Sequence, residues 1–318
     1  MVKNSELHKA NKAKKDEFYT QLADIEKEMQ IYTHHFRDKI IFCNCDDPEQ
    51  SNFWKYFELN FEKLGLKKLI ATHFNYEKPT YKLELYRAEN KSCLLNKIKT
   101  PLRQNGDFRS PESIAILKEV DIVATNPPFS LFREYIDQLF EYNKKFIIVG
   151  NVNAITYKNV FPRIAGNELW FGHSIHSGDR EFRVPEDYPL TAAGSRVDEN
   201  GIKYVRIKGV RWFTNLDFKE RHKDLILHAK YTPEKYPTYD NYDAINVDKT
   251  KEIPVDYNGV MGVPITFLDK YNPEQFEIVA FRKGNDGKDL VYSLPGTNDG
   301  QQIVQPYFRI LVRKIKTA

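Results

Sequence analysis

Asn126-Pro127-Pro128-Phe129 is the tetrapeptide of this chain whose residue types most directly suggest chemistry. A residue before proline is pushed into the extended region and each proline fixes its own φ, so the peptide is stiff before any tertiary contact forms. The prolines contribute no N–H. What the stretch offers is acceptors: the Asn126 side-chain oxygen and the Pro127 carbonyl can both receive hydrogens from one planar amine, and Phe129 supplies a face for a planar ring. An amine on an aromatic ring, adenine N6 for example, is a poor nucleophile because its lone pair is delocalised into the ring. Two acceptors holding its two hydrogens draw the nitrogen towards tetrahedral geometry and aim the lone pair at an electrophile such as a methyl sulfonium. No strong base is needed, since the proton can leave to water afterwards. The plain alternative is an ordinary turn at the end of a strand.

Three other stretches could hold a ligand. Asn44-Cys45-Asp46-Asp47-Pro48-Glu49-Gln50-Ser51 stands where a nucleoside-binding first turn usually shows glycines, and has none. Its carboxylates suit an amino group or ribose hydroxyls, or are simply the solvated acids of a loop. Asn105-Gly106-Asp107-Phe108 is suited to an adenine, with the Asp107 carboxylate on the amine and the Phe108 ring or backbone on the edge, or is a type I′ turn. Asp16-Glu17-Phe18-Tyr19-Thr20 precedes a helix-like run, residues 21–29, and taken alone is a charged helix with its cap.

The elements that must position these groups are legible in the first half. Residues 40–45 form an apolar run of strand length that ends in turn formers, and Ser51 can cap a helix over 52–64 that Gly65 stops. Residues 69–74 and 82–86 read as further strands, 111–118 as a short helix, 120–125 as a strong strand, 131–142 as a helix and 146–150 as another strand. Strands separated by helices predict an α/β chain with a mostly parallel, doubly wound sheet. Such sheets bind ligands outside the carboxyl ends of their strands, where Asp46-Asp47 and the Asn126 tetrapeptide both stand.

Beyond about residue 165 the texture changes to short β-like segments among turns: 169–171, 204–213, 265–268, 276–281 and 307–312. The second half is predicted to be α+β or mostly β, with no clean linker before it.

Composition narrows the class. The 318 residues exceed a typical single domain, and 41% hydrophobic with 29% charged residues excludes a disordered tail or a collagen-like rod. No stretch approaches the roughly 20 apolar residues that span a bilayer. The start, MVKNSELHKANKAKKDEF, lacks the apolar segment of a secretory signal, so a cytoplasmic protein without a membrane partner is expected. Cys43, Cys45 and Cys93 are too few for a disulfide framework and read as reduced thiols. A net charge of +4 permits a nucleic-acid partner without demanding one.

Taken together, KDEFYTQLADIE, CDDPEQSNFWKYF, NGDF, TNPPFSLFREYI, RWFTNLDF and VPITFLDKYNPEQFEIV resemble the EcoRI-type family of adenine-specific DNA methyltransferases, in order from Lys15 to Val279. The resemblance implies a Rossmann-like S-adenosylmethionine-dependent methyltransferase sheet in residues 1–165 and an α+β target-recognition region in 166–318. It implies S-adenosylmethionine as methyl donor and N6 of a flipped-out adenine in double-stranded DNA as acceptor. Asn126, Pro127, Pro128 and Phe129 then form the catalytic loop. Tyr19 and Thr20 lie near the donor's methionine part with Asp46 or Asp47, and Asp107 and Phe108 sit at its adenine. The chain departs from the usual pattern in lacking the glycine-rich first loop, and no acid follows the 70–74 strand until Glu77.

Among basic residues, Arg180 and Arg183 in Gly178-Asp179-Arg180-Glu181-Phe182-Arg183, and Lys208 and Arg211 in 203–211, are the candidates for DNA contact. His173-Ser174-Ile175-His176 has metal-like spacing but no third ligand nearby, His34-His35 reads as a surface pair, and Arg313-Lys314-Ile315-Lys316 as a frayed basic end. The expected function is site-specific adenine methylation, beside a cognate restriction endonuclease or as an orphan or phage enzyme. The alternatives are a methyltransferase acting on RNA or protein amide nitrogen, because an N-P-P-aromatic loop serves planar amines generally, and a catalytically silent DNA-binding module.

Overall fold

The structure, a computed structural model, describes residues 18–45, 47–74, 80–88, 95–186, 188–190, 194–284, 286–293 and 302–315. The chain divides into two compact units, one within Met1–Val160 and Leu169–Asp217, the other within Phe161–Glu168 and Phe218–Ala318.

The first unit begins with α1 (Leu22–Met29) and the short α2 (Thr33–Phe36), so His34 and His35 lie in a helical turn. β1 (Ile40–Cys43) follows. Ser51 caps the next helix as expected, its Oγ accepting from Phe53 N at 3.1 Å and Trp54 N at 3.4 Å. The expected single helix over 52–64 is two, α3 (Asn52–Leu59) and α4 (Phe61–Leu64), broken at Asn60. The Asn60 side chain donates to the Tyr56 carbonyl at 2.9 Å, the local competition with backbone bonding that makes asparagine a helix ender. Gly65, at φ +64°, closes α4 in the left-handed conformation.

β2 (Lys68–Thr72), β3 (Tyr81–Arg87), β4 (Leu95–Pro101), α5 (Pro111–Glu119), β5 (Ile122–Thr125), α6 (Phe132–Glu141) and β6 (Lys145–Asn151) complete the first 151 residues. α7 (Phe161–Ala165) belongs to the second unit, and β7 (Trp170–Phe171) returns to the first. β8 (Asp179–Arg183), β9 (Arg196–Val197), β10 (Lys203–Lys208) and β11 (Val210–Thr214) follow.

An eight-stranded sheet runs in the order β4-β3-β2-β1-β5-β6-β11-β7. Its centre, β2-β1-β5-β6, is parallel, but both edges are antiparallel, so the sheet is mixed. The central strands are near-continuous apolar runs because both faces are covered: Ile41, Phe42, Val123 and residues 146–149 have no exposed surface. β4 was invisible to pattern reading because its sequence, LNKIKTP, is an exposed edge without alternation. Strand order reverses at β1, which has β2 on one side and β5 on the other, and the loops after β1 and β5 leave from that point.

The expected single β segment at 204–213 is also two strands. Gly209, at φ +71°, turns the chain between β10, in a three-stranded sheet ordered β8-β10-β9, and β11, which pairs with β6 in the large sheet. That pairing carries residues 169–217 into the first unit, so the compact units do not divide at 165/166.

The second unit is mostly β by itself. β12 (Ala244–Asn246), β13 (Val260–Pro264), β14 (Phe276–Phe281), β15 (Val291–Ser293), β16 (Gln302–Val304) and β17 (Arg309–Lys314) form a four-stranded sheet ordered β12-β13-β17-β14 and a two-stranded sheet β15-β16. The 265–268 segment, expected to be β-like, is a 3₁₀ turn, Ile265–Lys270, begun after Pro264. Nor are Arg313 and Lys314 a frayed end: both lie in β17, with Arg313 paired to Glu277 at 2.6 Å. Among the described residues, no helix is long and apolar enough to cross a membrane.

Candidate active site

β5 ends in Thr125 with Asn126 next, both buried. Pro128, at φ −54° and ψ 123°, starts a 3₁₀ turn, Phe129–Leu131, closed by Leu131 N donating to Pro128 O at 3.0 Å, and α6 continues from it. The Asn126 side-chain nitrogen donates to the Phe18 carbonyl. Its oxygen is buried without a partner among the described residues. Buried polar atoms are nearly always satisfied, so this acceptor has bonding capacity left for a donor. Phe129 is 6% exposed and packs with its centroid 5.7 Å from Phe18 and 6.3 Å from Phe182.

Residues 18–20 thread past this loop. Tyr19 makes an antiparallel bridge to Arg183 of β8, N to O at 2.9 Å and O to N at 3.2 Å, and the Thr20 carbonyl accepts from Asn52 Nδ2 at 2.7 Å. The Thr20 hydroxyl is buried and has no hydrogen-bond partner among the described residues.

Open groups recur at the carboxyl ends of β1 and β2. Asn44, just past β1, accepts the Tyr135 hydroxyl on its oxygen and leaves its nitrogen buried without a partner among the described residues. Burial pushes the Tyr135 phenol well above its ordinary pKa, so it stays a donor. At the end of β2, Thr72 Oγ1 and, just past it, His73 Nδ1 are likewise open among the described residues, with the His73 ring stacked on Tyr81 at 4.9 Å. Sequence reading missed Asn44, Thr72, His73 and Tyr135 as individual site residues. The available signal was a polar residue directly after an apolar strand, where the sheet is entered by ligands.

Of the expected acids, Asp46 lies outside the described residues, as does Glu77. Asp47 forms the turn into α3, its carboxylate accepting from Glu49 N at 3.0 Å and Tyr81 OH at 3.4 Å, its carbonyl from Ser51 N at 2.7 Å. In the 105–108 stretch, a Cβ on Gly106 (φ +74°) would lie 2.0 Å from the His73 carbonyl, so only glycine lets this turn close against the end of β2. It is not a type I′ turn: among the described residues, positive φ outside glycine falls only at Asp38, Asn143, Asn167 and Arg282. Both Asp107 oxygens are held by Arg109, at 2.8 and 2.7 Å. Burial opposes ionisation of Asp107, but the hydrogen bonds and charge of Arg109 outweigh it and hold the carboxyl below its ordinary range. Phe108 is buried edge-on to Tyr135 at 4.9 Å, which joins this turn to Asn44.

The basic candidates separate by sheet register. β8 and β10 pair Arg183 with Tyr204, Phe182 with Val205, and Asp179 with Lys208. Side chains alternate across a strand, so Arg183 and Lys208 share one face while Arg180 shares the other with buried Phe182. Arg180 accordingly stands 3.9 Å from Asp24 of α1. Arg211, expected beside them, is 6% exposed and donates to the carbonyls of Val210 and His176, because β11 is interior to the large sheet. The loop holding His173 and His176 is anchored by Glu28, whose fully buried carboxylate accepts from His173 N at 2.8 Å, Ser174 N at 2.6 Å and Tyr32 OH at 2.9 Å. Among the described residues no group of three or more His, Cys, Asp or Glu could hold a metal ion.

Comparison with known proteins gives one answer. A family model described as adenine-specific methyltransferase EcoRI matches residues 6–315. The chain is 53% identical to the Type II methyltransferase M.EcoRI of Escherichia coli, over 98% of this chain and 96% of the relative. It is 43% identical to the Type II methyltransferase M.MgeORF184P of Mycoplasma genitalium, over 86% of this chain and 85% of the relative. With M.MpnI of Mycoplasma pneumoniae the identity is 41%, over 86% and 84%. No solved structure matches. With a model match along nearly its whole length and a relative more than half identical, the chain belongs to the family of EcoRI adenine-specific methyltransferases.

Proposed function

We infer that the protein is a site-specific DNA adenine N6-methyltransferase. The observation that carries the mechanism is the buried Asn126 oxygen just past β5, which has no hydrogen-bond partner among the described residues. Asn126 Oδ1 and the Pro127 carbonyl take the two hydrogens of the adenine amine, and Pro127 with Pro128 keeps the pair from swinging apart. The amine's lone pair is thereby aimed, and its proton leaves to water.

The methyl group is supplied, when it is bound, by S-adenosylmethionine. The residues fit such a donor: open polar atoms of Thr20, Asn44, Thr72 and His73 face a polar ligand's needs at the switch point of the strand order. Tyr19 and Thr20, with Asp46 or Asp47, hold its methionine part in this reading, and Asp107 and Phe108 its adenine. The sheet is then a Rossmann-like methyltransferase sheet. DNA is taken by the 166–318 region, through Arg183 and Lys208 on the outward face of β8 and β10, with Arg180 on the other face of β8 and buried Arg211 supporting from β11 of the large sheet. The Type II names of the relatives support a restriction-modification setting with a cognate endonuclease.

The test is transfer of a labelled methyl group from S-adenosylmethionine to DNA, RNA and protein in parallel, followed by mapping of modified adenines. Label in N6-methyladenine of duplex DNA at one sequence is the expected result. Asn126→Ala should lower transfer on the order of 10² to 10³ while donor binding persists. Label in RNA or protein alone, or near-normal turnover in that variant, removes the reading.

A further inference from the structure

A carbonyl oxygen only accepts, so the end of the Asn126 amide that faces the Phe18 carbonyl must be its NH₂, and the end left open must be its oxygen. An asparagine amide has broad, nearly two-fold freedom about its last torsion, and this one bond selects the orientation that leaves the oxygen as the open end. Phe18 lies outside any helix or strand, so something else must hold its carbonyl. Its ring is fixed among Phe129, Phe182 and Tyr188, at 5.7, 5.8 and 6.1 Å. The next residue, Tyr19, is tied by two backbone bonds to Arg183 of β8, and Thr20 by Asn52 Nδ2.

We propose that the backbone of residues 18–20 is a positioning element for methyl transfer: through the Tyr19–Arg183 bridge, the strand that carries Arg183 towards DNA sets the Phe18 carbonyl, and that carbonyl orients the Asn126 amide. The proposal rests on Asn126 being the amine acceptor. It explains why position 126 is an amide although a carboxylate accepts hydrogen bonds more strongly. An aspartate there would set a negative oxygen against the Phe18 carbonyl. Only its protonated form, donating to that carbonyl and accepting with its other oxygen, reproduces the amide. Burial at this position and the facing carbonyl favour the acid form; the ionisable groups on the neighbouring segments include Tyr19, Tyr188, Asp179, Arg180, Glu181 and Arg183, with Asp24 beside Arg180, and on α6 Arg133, Glu134, Tyr135, Asp137 and Glu141, and the arginines act the other way.

The experiment uses the full-length protein, saturated with S-adenosylmethionine, in single-turnover transfer to a cognate duplex between about pH 5.5 and 8.5. Asn126→Asp is expected to be on the order of 10²-fold slower than the parent at pH 8, and to gain about tenfold as pH falls to 6, which neither the parent nor Asn126→Ala does. A second pair isolates the bridge. Tyr19→Pro removes the N–H given to Arg183 and Tyr19→Ala keeps it, so the proline variant should show a transfer rate about tenfold below the alanine variant, at donor affinities and melting temperatures within a narrow range of each other. Full activity of Asn126→Asp at pH 8, its inactivity at every pH, or equal rates in the two Tyr19 variants overturns the proposal. Activity in Asn126→Ala overturns instead the reading on which it rests.

Discussion

The Tyr135 hydroxyl donates to the Asn44 side-chain oxygen, and this leaves the Asn44 amide nitrogen, a donor, as the open end of the amide just past β1. Asn44 and Asn126 are therefore set in opposite senses by the protein: each has one end of its amide anchored, the first presenting a nitrogen and the second an oxygen.

Tyr135→Phe should leave the Asn44 amide free to turn. Loss of a buried bond of this kind costs about 1 kcal/mol, with a further penalty where the remaining group is unsatisfied. We expect S-adenosylmethionine to bind about tenfold more weakly while DNA affinity is unchanged, as measured by calorimetric titration of each. An unchanged donor affinity would assign the Tyr135 bond to the core alone.

Asp107→Ala should weaken donor binding by roughly 1.5 to 3 kcal/mol, the worth of a hydrogen bond to a charged group, with little change in DNA affinity. Because the folded carboxyl titrates below its ordinary value of 3.8, its charged form is present above that pH and is lost only as pH falls through the lower folded value. Donor affinity should thus show no pH dependence from Asp107 between about pH 5 and 8, where its contribution is fully present, and a fall attributable to it only in stronger acid. A midpoint near neutrality that vanishes in the alanine variant would contradict this.

Phe129→Leu keeps apolar volume among Phe18 and Phe182 but removes the ring face. Flipping a paired adenine costs a few kcal/mol, less where pairing is already broken, and stacking on an aromatic ring returns roughly 1 to 3 kcal/mol of it. Transfer to paired DNA should fall more than transfer to an adenine opposite a mismatch. Equal losses on both targets would show that the ring serves packing in the aromatic cluster and does not capture the base.

Glu28→Ala removes the acceptor of one buried and one partly buried backbone N–H group and of a buried tyrosine hydroxyl. The cost should be about 3 kcal/mol or more, because the donors left behind are shut away from water. Urea unfolding should show a lowered midpoint with an unchanged slope. A midpoint within error of the parent would mean that the loop after β7 rearranges to satisfy those groups.

What the sequence determined by itself is what neighbouring residues decide among themselves. The strands β1, β2, β5 and β6 announce themselves as apolar runs, Ser51 and Gly65 as the start and stop of a helical stretch, and Asn126 through Pro128 as a stiff set of acceptors directly after a strand. Each of these rests on interactions within a few positions of the chain, so a one-dimensional pattern contains them. The order of the sheet, the exposed edge strand β4 and the split of 203–214 between two sheets depend on which strand pairs with which, and that is settled by burial across the whole unit. The same holds at the site. Arg211 looks like a surface cation until β11 is placed inside the sheet. Asn126 needs a carbonyl 108 positions earlier to engage its nitrogen and leave its oxygen as the open end. Thr72 Oγ1 and His73 Nδ1 count as ligand groups only once the fold has buried those atoms without a hydrogen-bond partner among the described residues. Residue type decides what a side chain can donate or accept; only the tertiary structure decides which of those capacities is already used.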